Sequence, residues 1–538
     1  VLALTLWQGF DPVIAGGTEQ AADRERVGAI ADALRDPAFH GGQPVKVVET
    51  HGSWVFLTAD RAYKLRKPVV FPFLDYGTPA RRRAMCEEEV RVGRRLAPGI
   101  YLGARPIVAR DGGYAIGPDG AEGIEYVVEM RRFDAGRTLQ AQLERGEAGP
   151  EDVRRIARRI AAFHRDAERA HGAFSACDVM ATVSENFTTL LRFADLLDRA
   201  VLAAAHRFAV AFVHARREEL DRRSRDGLVR DGHGDLRAEH VILENGEVEI
   251  FDPVEFDPAL RRIDVSADLA FLTMELYAAG RDDLAEILVD TYREAGGDDG
   301  GDGLLAFYAC YRAWVRAKVA CLRAEELAPG PERDATIGAA RRLAELGGRL
   351  AWRARRPLLL VVCGLSGSGK STLAKLLAAQ SDFPVVNSDM VRKQRAGLEP
   401  TQRAPQDVYV PAVTREVYVE LGREAARLAR RGGGIIDATF RLPEHRRAFA
   451  EGLGDAAPAP LFVECQAPRS VLLERVRLRA QRGGSVSDAT ESVVERQLAE
   501  YQPMDDVPAR DLLELRTDRP LDEAIAVLQA ALDARLAG

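Results

Sequence analysis

Along this 538-residue chain the spacing of apolar positions changes character twice. Asp23–Leu34 places Val27, Ile30 and Leu34 at helical spacing and predicts a helix. Val45–Thr50, Ser53–Thr58 and Arg61–Leu65 read as short strands, with turns at His51-Gly52 and Ala59-Asp60. A charged helix is expected over Pro79–Leu96, then strands at Ala104–Ala109 and Ile124–Met130. From about Glu151 to Ala279 the period is helical, broken by Leu228–Asp235, Val241–Leu243 and Val248–Phe251. Helices continue from Leu304 to about Arg353, and Arg353–Pro357 reads as a hinge. Beyond it strands at Leu358–Val362, Phe383–Asn387, Gly434–Ala438, Leu461–Cys465 and Leu512–Arg516 alternate with helical stretches. A small β-rich lobe followed by a helical lobe is an α+β, bilobal layout. The alternation after it predicts an α/β domain on a parallel, doubly wound sheet. The expected boundaries are a loose leader over about 1–20, a first domain over 21–355 and a second over 356–538. Within the first, the small lobe spans about 45–130 and the helical lobe about 131–350.

Composition adds limits. Hydrophobic content of 46% and charged content of 29% are ordinary for a soluble globular protein. A net charge of −7 argues against a general nucleic-acid coat and against an anionic membrane surface as partner. No apolar run approaches the roughly 18 residues of a membrane span. The opening Val1–Trp7 lacks a basic n-region, which argues against a signal peptide. Six scattered cysteines without a C-x-x-C pair point to reduced thiols, no zinc site and a cytoplasmic protein. Only seven of the 75 basic residues are lysine, so the places where a compact ammonium is kept draw notice. Lys64 and Lys370 are two of them.

Lys370 belongs to Gly364-Leu365-Ser366-Gly367-Ser368-Gly369-Lys370-Ser371, a full G-x-x-x-x-G-K-[ST] match between a strand and the helical stretch Thr372–Ala379. Such glycines let successive backbone N–H groups turn inward around a polyphosphate at a helix N-terminus. Lys370 then reaches the β/γ-phosphates, and the Ser371 hydroxyl is placed for Mg²⁺, with Thr372 beside it. Asp389, in Asn387-Ser388-Asp389-Met390-Val391-Arg392, and Asp437, ending Ile435-Ile436-Asp437, fall at strand C-termini, where open α/β sheets bind ligands. Arg475, Arg479 and Arg482 share one helical face and can meet phosphate.

In the first domain, His233-Gly234-Asp235 lies between apolar runs and Ile250-Phe251-Asp252 follows on the next strand. A carboxylate on a tight loop can take a hydroxyl's proton while a second, a hairpin away, holds metal. Lys64 on a short strand and Glu89 on the next helix are the types needed for an ion pair that aims a lysine at phosphates.

In this order these residues resemble the aminoglycoside-phosphotransferase-like branch of the protein-kinase fold, over roughly 45–350. The resemblance implies Lys64 as the phosphate-binding lysine, Glu89 as its partner, Glu129-Met130 as the adenine hinge and Asp235 as the catalytic aspartate. It further implies Asp252 as a metal ligand and Asp268 as a buttress of the catalytic loop. One position departs: where the family places a metal-binding Asn, this chain has His240. Hard cations prefer oxygen. Either Asp252 and the phosphates carry the metal, or His240 moves the preference toward Mn²⁺, or the lobe has lost transfer activity. The second domain resembles the small P-loop kinases of the gluconate-kinase, polynucleotide-5′-kinase and zeta-toxin type. That resemblance implies Asp389 as base, Arg392, Thr439 and Arg441 at the substrate, and the three arginines as a mobile lid. The whole chain resembles a bacterial family that fuses these halves, which brings no substrate with it.

The function expected is a bifunctional phosphotransferase using ATP or GTP with Mg²⁺ on small hydroxylated molecules. The alternative is a single P-loop kinase or ATPase governed by an inactive, ligand-sensing first domain. A polynucleotide 5′-end as acceptor is disfavoured by the acidic charge and the lack of a basic tract interleaved with aromatics. Oligomeric state is not encoded in any of these signals.

Overall fold

A computed structural model describes residues 18–71, 74–110, 112–399, 402, 405–482 and 490–537. Most of the expected leader lies outside the described residues, and Thr18 already begins helix α1 (Thr18–Arg35). The chain divides into two units: the portion up to Leu197 with Arg216–Leu346, and Asp198–Ala215 with Gly347 onward.

The small lobe of the first unit is an antiparallel sheet of β1 (Lys46–Glu49), β2 (Ser53–Leu57), β3 (Arg61–Arg66), β4 (Tyr101–Arg110), β5 (Gly113–Ile116) and β6 (Glu125–Arg131). Their spatial order is β1-β2-β3-β6-β4-β5. Alternation along β3 decides what each face does. Tyr63 and Leu65 join Val27, Ile30, Ala31 and Leu34 of α1 in one core. Lys64 and Arg66 face the other way and meet Glu89 of α2 (Pro79–Gly93). That helix starts at Pro79 behind an N-cap, Thr78, whose side chain accepts from the Arg81 amide. Its Cys86 and Val90 pack with Tyr101, Tyr126 and Val128.

In the helical lobe, β7 (Val229–Asp231) pairs with β10 (Arg262–Asp264), and β8 (Val241–Glu244) with β9 (Glu247–Ile250). Helix α5 (Val265–Ala278) is buried almost all round, as a helix without a polar face must be. Helices α3 (Pro150–Asp166) and α6 (Gly301–Glu326) belong to the same lobe, and α6 packs along α5.

Numbering on from α4 (Arg199–Ala215) and α7 (Pro331–Ala354), the second unit is built on β11 (Leu358–Cys363), β12 (Val385–Asn387), β13 (Gly433–Asp437), β14 (Leu461–Gln466) and β15 (Leu512–Arg516). All pair in parallel, in the order β12-β13-β11-β14-β15. Two apolar clusters cover the two faces, one around Leu360, Val362, Leu373 and Leu528, the other around Leu359, Val361, Phe440 and Phe462. Near-continuous apolar strands such as Leu358–Cys363 are what a sheet buried on both faces requires.

Two features correct the sequence reading. The helical run from Glu151 to Ala279 is not one domain's property, because α4 falls in the second unit and packs against its last helix, Leu521–Ala537. Amphipathic spacing shows that α4 buries Leu202, Phe208 and Phe212 but cannot say against what. The expected hinge at Arg353–Pro357 also lies inside that unit: α7 runs to Ala354, and Arg355 pairs with Asp533. Arg207 of α4 meets the same carboxylate at 3.1 Å. Among the described residues, no helix is long and apolar enough to cross a membrane.

Asp533 is buried between these two guanidiniums. Asp533→Ala strands the buried Arg355 and is expected to cost about 3 kcal/mol. Urea unfolding followed by circular dichroism reads this; an unchanged midpoint contradicts it.

Candidate functional site

In the first unit, Lys64 Nζ donates to Glu89 Oε1 at 2.9 Å and stands 3.7 Å from Asp252 Oδ1. The other Glu89 oxygen accepts from Arg66 at 2.6 Å, and Arg66 pairs with Glu255 at 3.0 Å. Burial opposes the charge on Lys64, but Glu89, Glu255 and Asp252 outweigh it and push its pKa well above an ordinary lysine's. Burial likewise opposes the Asp252 carboxylate, and Lys64 and His240 more than offset that, holding it well below the usual carboxylate range. Asp252 adopts φ +60° and its amide donates to the Tyr101 hydroxyl at 3.0 Å. A left-handed aspartate fixed this way projects its carboxylate beside the lysine.

His240 joins this group to Asp235. Its Nδ1 lies 2.9 Å from the Asp235 carbonyl, which can only accept, so Nδ1 carries the proton. Nε2 is then left facing Asp252 Oδ2 at 3.6 Å. The Asp235 loop is held from beneath by Asp268 of α5, which accepts from the His233 and Gly234 amides at 2.8 and 3.0 Å. His164 of α3 completes the carboxylate's partners at 3.1 Å, its other nitrogen 2.8 Å from the Tyr292 hydroxyl. Burial would raise the Asp268 carboxyl, but the His164 hydrogen bond and the loop contacts pull it down to about 2. Glu129 and Met130 are both half-buried. The Glu129 carboxylate lies 3.6 Å from Arg61 and 3.4 Å from Arg105, and Met130 packs in the α2 core.

In the second unit, the loop from β11 to α8 (Lys370–Ser381) has Gly364 at φ +130° and Gly367 at φ +83°. A Cβ at either would lie 2.5 Å from a backbone oxygen, of Cys465 and Leu472 respectively. Only glycine fits there. The Ser366 amide donates to Gln497, Ser368 is buried, and Gly369 at φ +87° caps α8. Lys370 Nζ lies 3.4 Å from the Leu365 carbonyl, folded over the loop, while Ser371 and Thr372 are exposed at the helix start.

Asp389 sits in the first turn of α9 (Ser388–Arg395), not on the strand end expected. Asn387 caps that helix, accepting from the Asp389 amide at 2.9 Å, and its side-chain amide donates to Asp437 at 2.8 Å. The other Asp437 oxygen, Oδ1, is buried and has no hydrogen-bond partner among the described residues. An open carboxylate oxygen, in the same unit as the exposed Ser371 hydroxyl, is the oxygen chemistry that suits Mg²⁺, which takes few protein ligands and fills its shell with phosphate and water. In the first unit the corresponding donors are the Asp252 carboxylate and His240 Nε2. Among the described residues no cluster of three His, Cys, Asp or Glu side chains forms a self-contained metal cage.

Arg392 pairs with Asp389 at 3.1 Å and lies over the Tyr409 ring. The Thr439 hydroxyl is 3.0 Å from the Tyr418 hydroxyl, and Arg441 is paired with Glu500. Of the three arginines expected as a lid, Arg475 ties α10 (Arg469–Arg482) to the phosphate loop, donating to the Thr517 carbonyl at 2.7 Å and the Gly367 carbonyl at 3.4 Å. Arg479 is partly buried, which lowers its pKa, with Asp389 working against that. The Arg482 side chain lies outside the described residues. Arg66, Glu255, His164 and Thr517 are the participants the sequence did not reveal. None sits in a motif, and each becomes visible only through a partner far away in sequence.

Asp268 receives three hydrogen bonds in a buried setting. Asp268→Asn is expected to cost about 2–4 kcal/mol. Because the folded carboxyl is depressed to about 2, the wild-type advantage is full above about pH 4 and fades as pH falls toward 2. Chemical denaturation across that range checks both; a cost independent of pH contradicts the assignment.

The AAA domain family matches residues 359–504, over the phosphate loop and its sheet. With the parallel sheet, the second unit is an α/β domain carrying a phosphate loop; the first is an α+β domain of two lobes. An adenylate kinase of Bifidobacterium longum is 31% identical over 166 residues, 29% of this chain and 86% of that enzyme. A solved choline/ethanolamine kinase family protein from Mesorhizobium loti shares 14% identity over 60% of this chain and 94% of its own, at a TM-score of 0.35, too low to bear on function. The uncharacterized protein Rv2004c of Mycobacterium tuberculosis is 32% identical over 461 residues, 84% of this chain and 88% of that one. A match of that extent crosses both units, and the chain belongs to the family of that mycobacterial protein.

Proposed function

We propose that the chain is a bifunctional ATP-dependent phosphotransferase with one site in each unit, each passing the γ-phosphoryl group to a hydroxyl of a small molecule. The observation that carries this reading is the buried Lys64–Glu89 pair beside Asp252, in the same chain as a complete phosphate loop.

In the first site Lys64, held charged and aimed by Glu89, neutralises the α/β-phosphates. Asp235 takes the acceptor's proton as the acceptor oxygen bonds to the γ-phosphorus and the bond to the β-phosphate oxygen breaks, releasing ADP. In the second site the loop amides and Lys370 hold the phosphates, and Asp389, oriented by Arg392, plays the part of Asp235. Asp252 in the first site, and Ser371 and Asp437 in the second, would hold Mg²⁺, which would supply positive charge to the transferring phosphate.

His240 supports a second reading. An imidazole nitrogen beside Asp252 is a poorer Mg²⁺ donor than an amide oxygen, so the first unit would either favour Mn²⁺ or bind nucleotide without transfer. One screen separates these readings: a small-metabolite extract with γ-labelled ATP, run with each metal on wild type, Asp235→Asn and Asp389→Asn. Each variant is expected to lose a different labelled product by about 10²–10⁴-fold. Full labelling in both variants rules out the mechanism; full labelling in Asp235→Asn alone makes the first unit a sensor.

A further inference from the structure

The buried arginines of the first unit come with carboxylates. Arg66 meets Glu89 and Glu255, Arg82 meets Asp23 and Glu125, and Arg223 meets Asp264 and Asp298. Arg237 meets Glu275 and Glu239, and Arg261 meets Asp231 and Glu88.

Arg312 and Arg316 of α6, although less deeply buried, have no such carboxylate. Among the described residues, no hydrogen bond or ion pair joins either guanidinium to another side chain; Arg312 lies over the Phe271 ring, 4.6 Å from its centroid. Both are half-buried. Four residues apart, they share one helix face, where like charges repel. Withdrawing unpaired guanidiniums from water is costly, and burial lowers the pKa of both. A fixed guanidinium fork is suited to carboxylate and phosphate oxygens.

Their location is specific. Phe271 sits on α5 between Asp268, which holds the His233 and Gly234 amides, and Glu275, which holds Arg237 and the Ala238 amide. Arg312 therefore stands beside the stripe of α5 that fixes the Asp235 loop, with Arg316 one turn along the same helix face, and the Asp235 carboxylate acts on both. We infer that Arg312 and Arg316 form an anion-binding subsite for the acceptor of the first unit, which is therefore a hydroxylated carboxylate or phosphate rather than an amine or a neutral polyol. The inference rests on the phosphotransferase reading for the word acceptor, but the subsite itself is tested without turnover.

The test uses full-length protein carrying Lys370→Ala, saturated with a non-hydrolysable ATP analogue. Glycerate, glycerol 3-phosphate, glycerol and 2-aminoethanol are titrated in by calorimetry. At least one anion is expected to bind, and the Arg312→Gln/Arg316→Gln pair to weaken it by about tenfold or more, as for loss of a hydrogen bond to a charged group. Nucleotide affinity and melting temperature should stay unchanged, and the Arg312→Lys/Arg316→Lys pair should recover part of the loss. Each single glutamine variant is read alongside, so that misfolding is not taken for loss of the site. Failure of both anions to bind, equal binding to the glutamine pair, or preference for glycerol or 2-aminoethanol overturns the inference. Arginine-dependent anion binding without Lys64-dependent transfer to any of the four upholds the subsite and refutes the phosphotransferase reading instead.

Discussion

A buried charge is costly without a partner, and around Lys64 that constraint is met chiefly by one carboxylate. Glu89 accepts from Lys64 and from Arg66, neighbours on one face of β3, and Arg66 reaches on to Glu255, three residues beyond Asp252. Strand, helix and the segment after β9 are therefore tied through a single side chain. The lysine's position is set by the same contacts that make its burial tolerable. Asp268 plays the equivalent part below the cleft, where two loop amides and His164 converge on it. The pieces that face a ligand are thus held by pieces that do not.

The second unit meets the need for positive charge with backbone instead. Its loop places glycine where any side chain would strike a neighbouring carbonyl, and the start of α8 adds its own partial charge. Behind the loop, Thr517 donates to the Ser368 carbonyl and Arg475 to the Thr517 carbonyl, so the end of β15 and α10 brace it. Asn387 links the cap of α9 to Asp437, coupling Asp389 to the acid on the adjacent strand.

Much of this was legible in the sequence, for reasons that can be named. The five strands of the second unit lie within about two residues of their expected limits, since apolar runs between loop signals leave little choice of register. Lys64 and Glu89 could be paired because strand and helix were each clear. What was not legible depends on partners. The placement of α4 with the second unit needed Asp533, more than three hundred residues on. Residues 113–116 were too short a signal to read as β5. For Arg475, helical spacing gives a face but not its neighbour, here Thr517.

The central claim is that one chain carries two nucleotide sites, one built on a buried ammonium–carboxylate pair and one on a glycine loop. Equilibrium dialysis of full-length protein with a non-hydrolysable ATP analogue tests it most directly. The account predicts two nucleotides bound per chain in wild type and one in each of Lys64→Ala and Lys370→Ala. One nucleotide per chain in wild type, unaffected by Lys64→Ala, would contradict it.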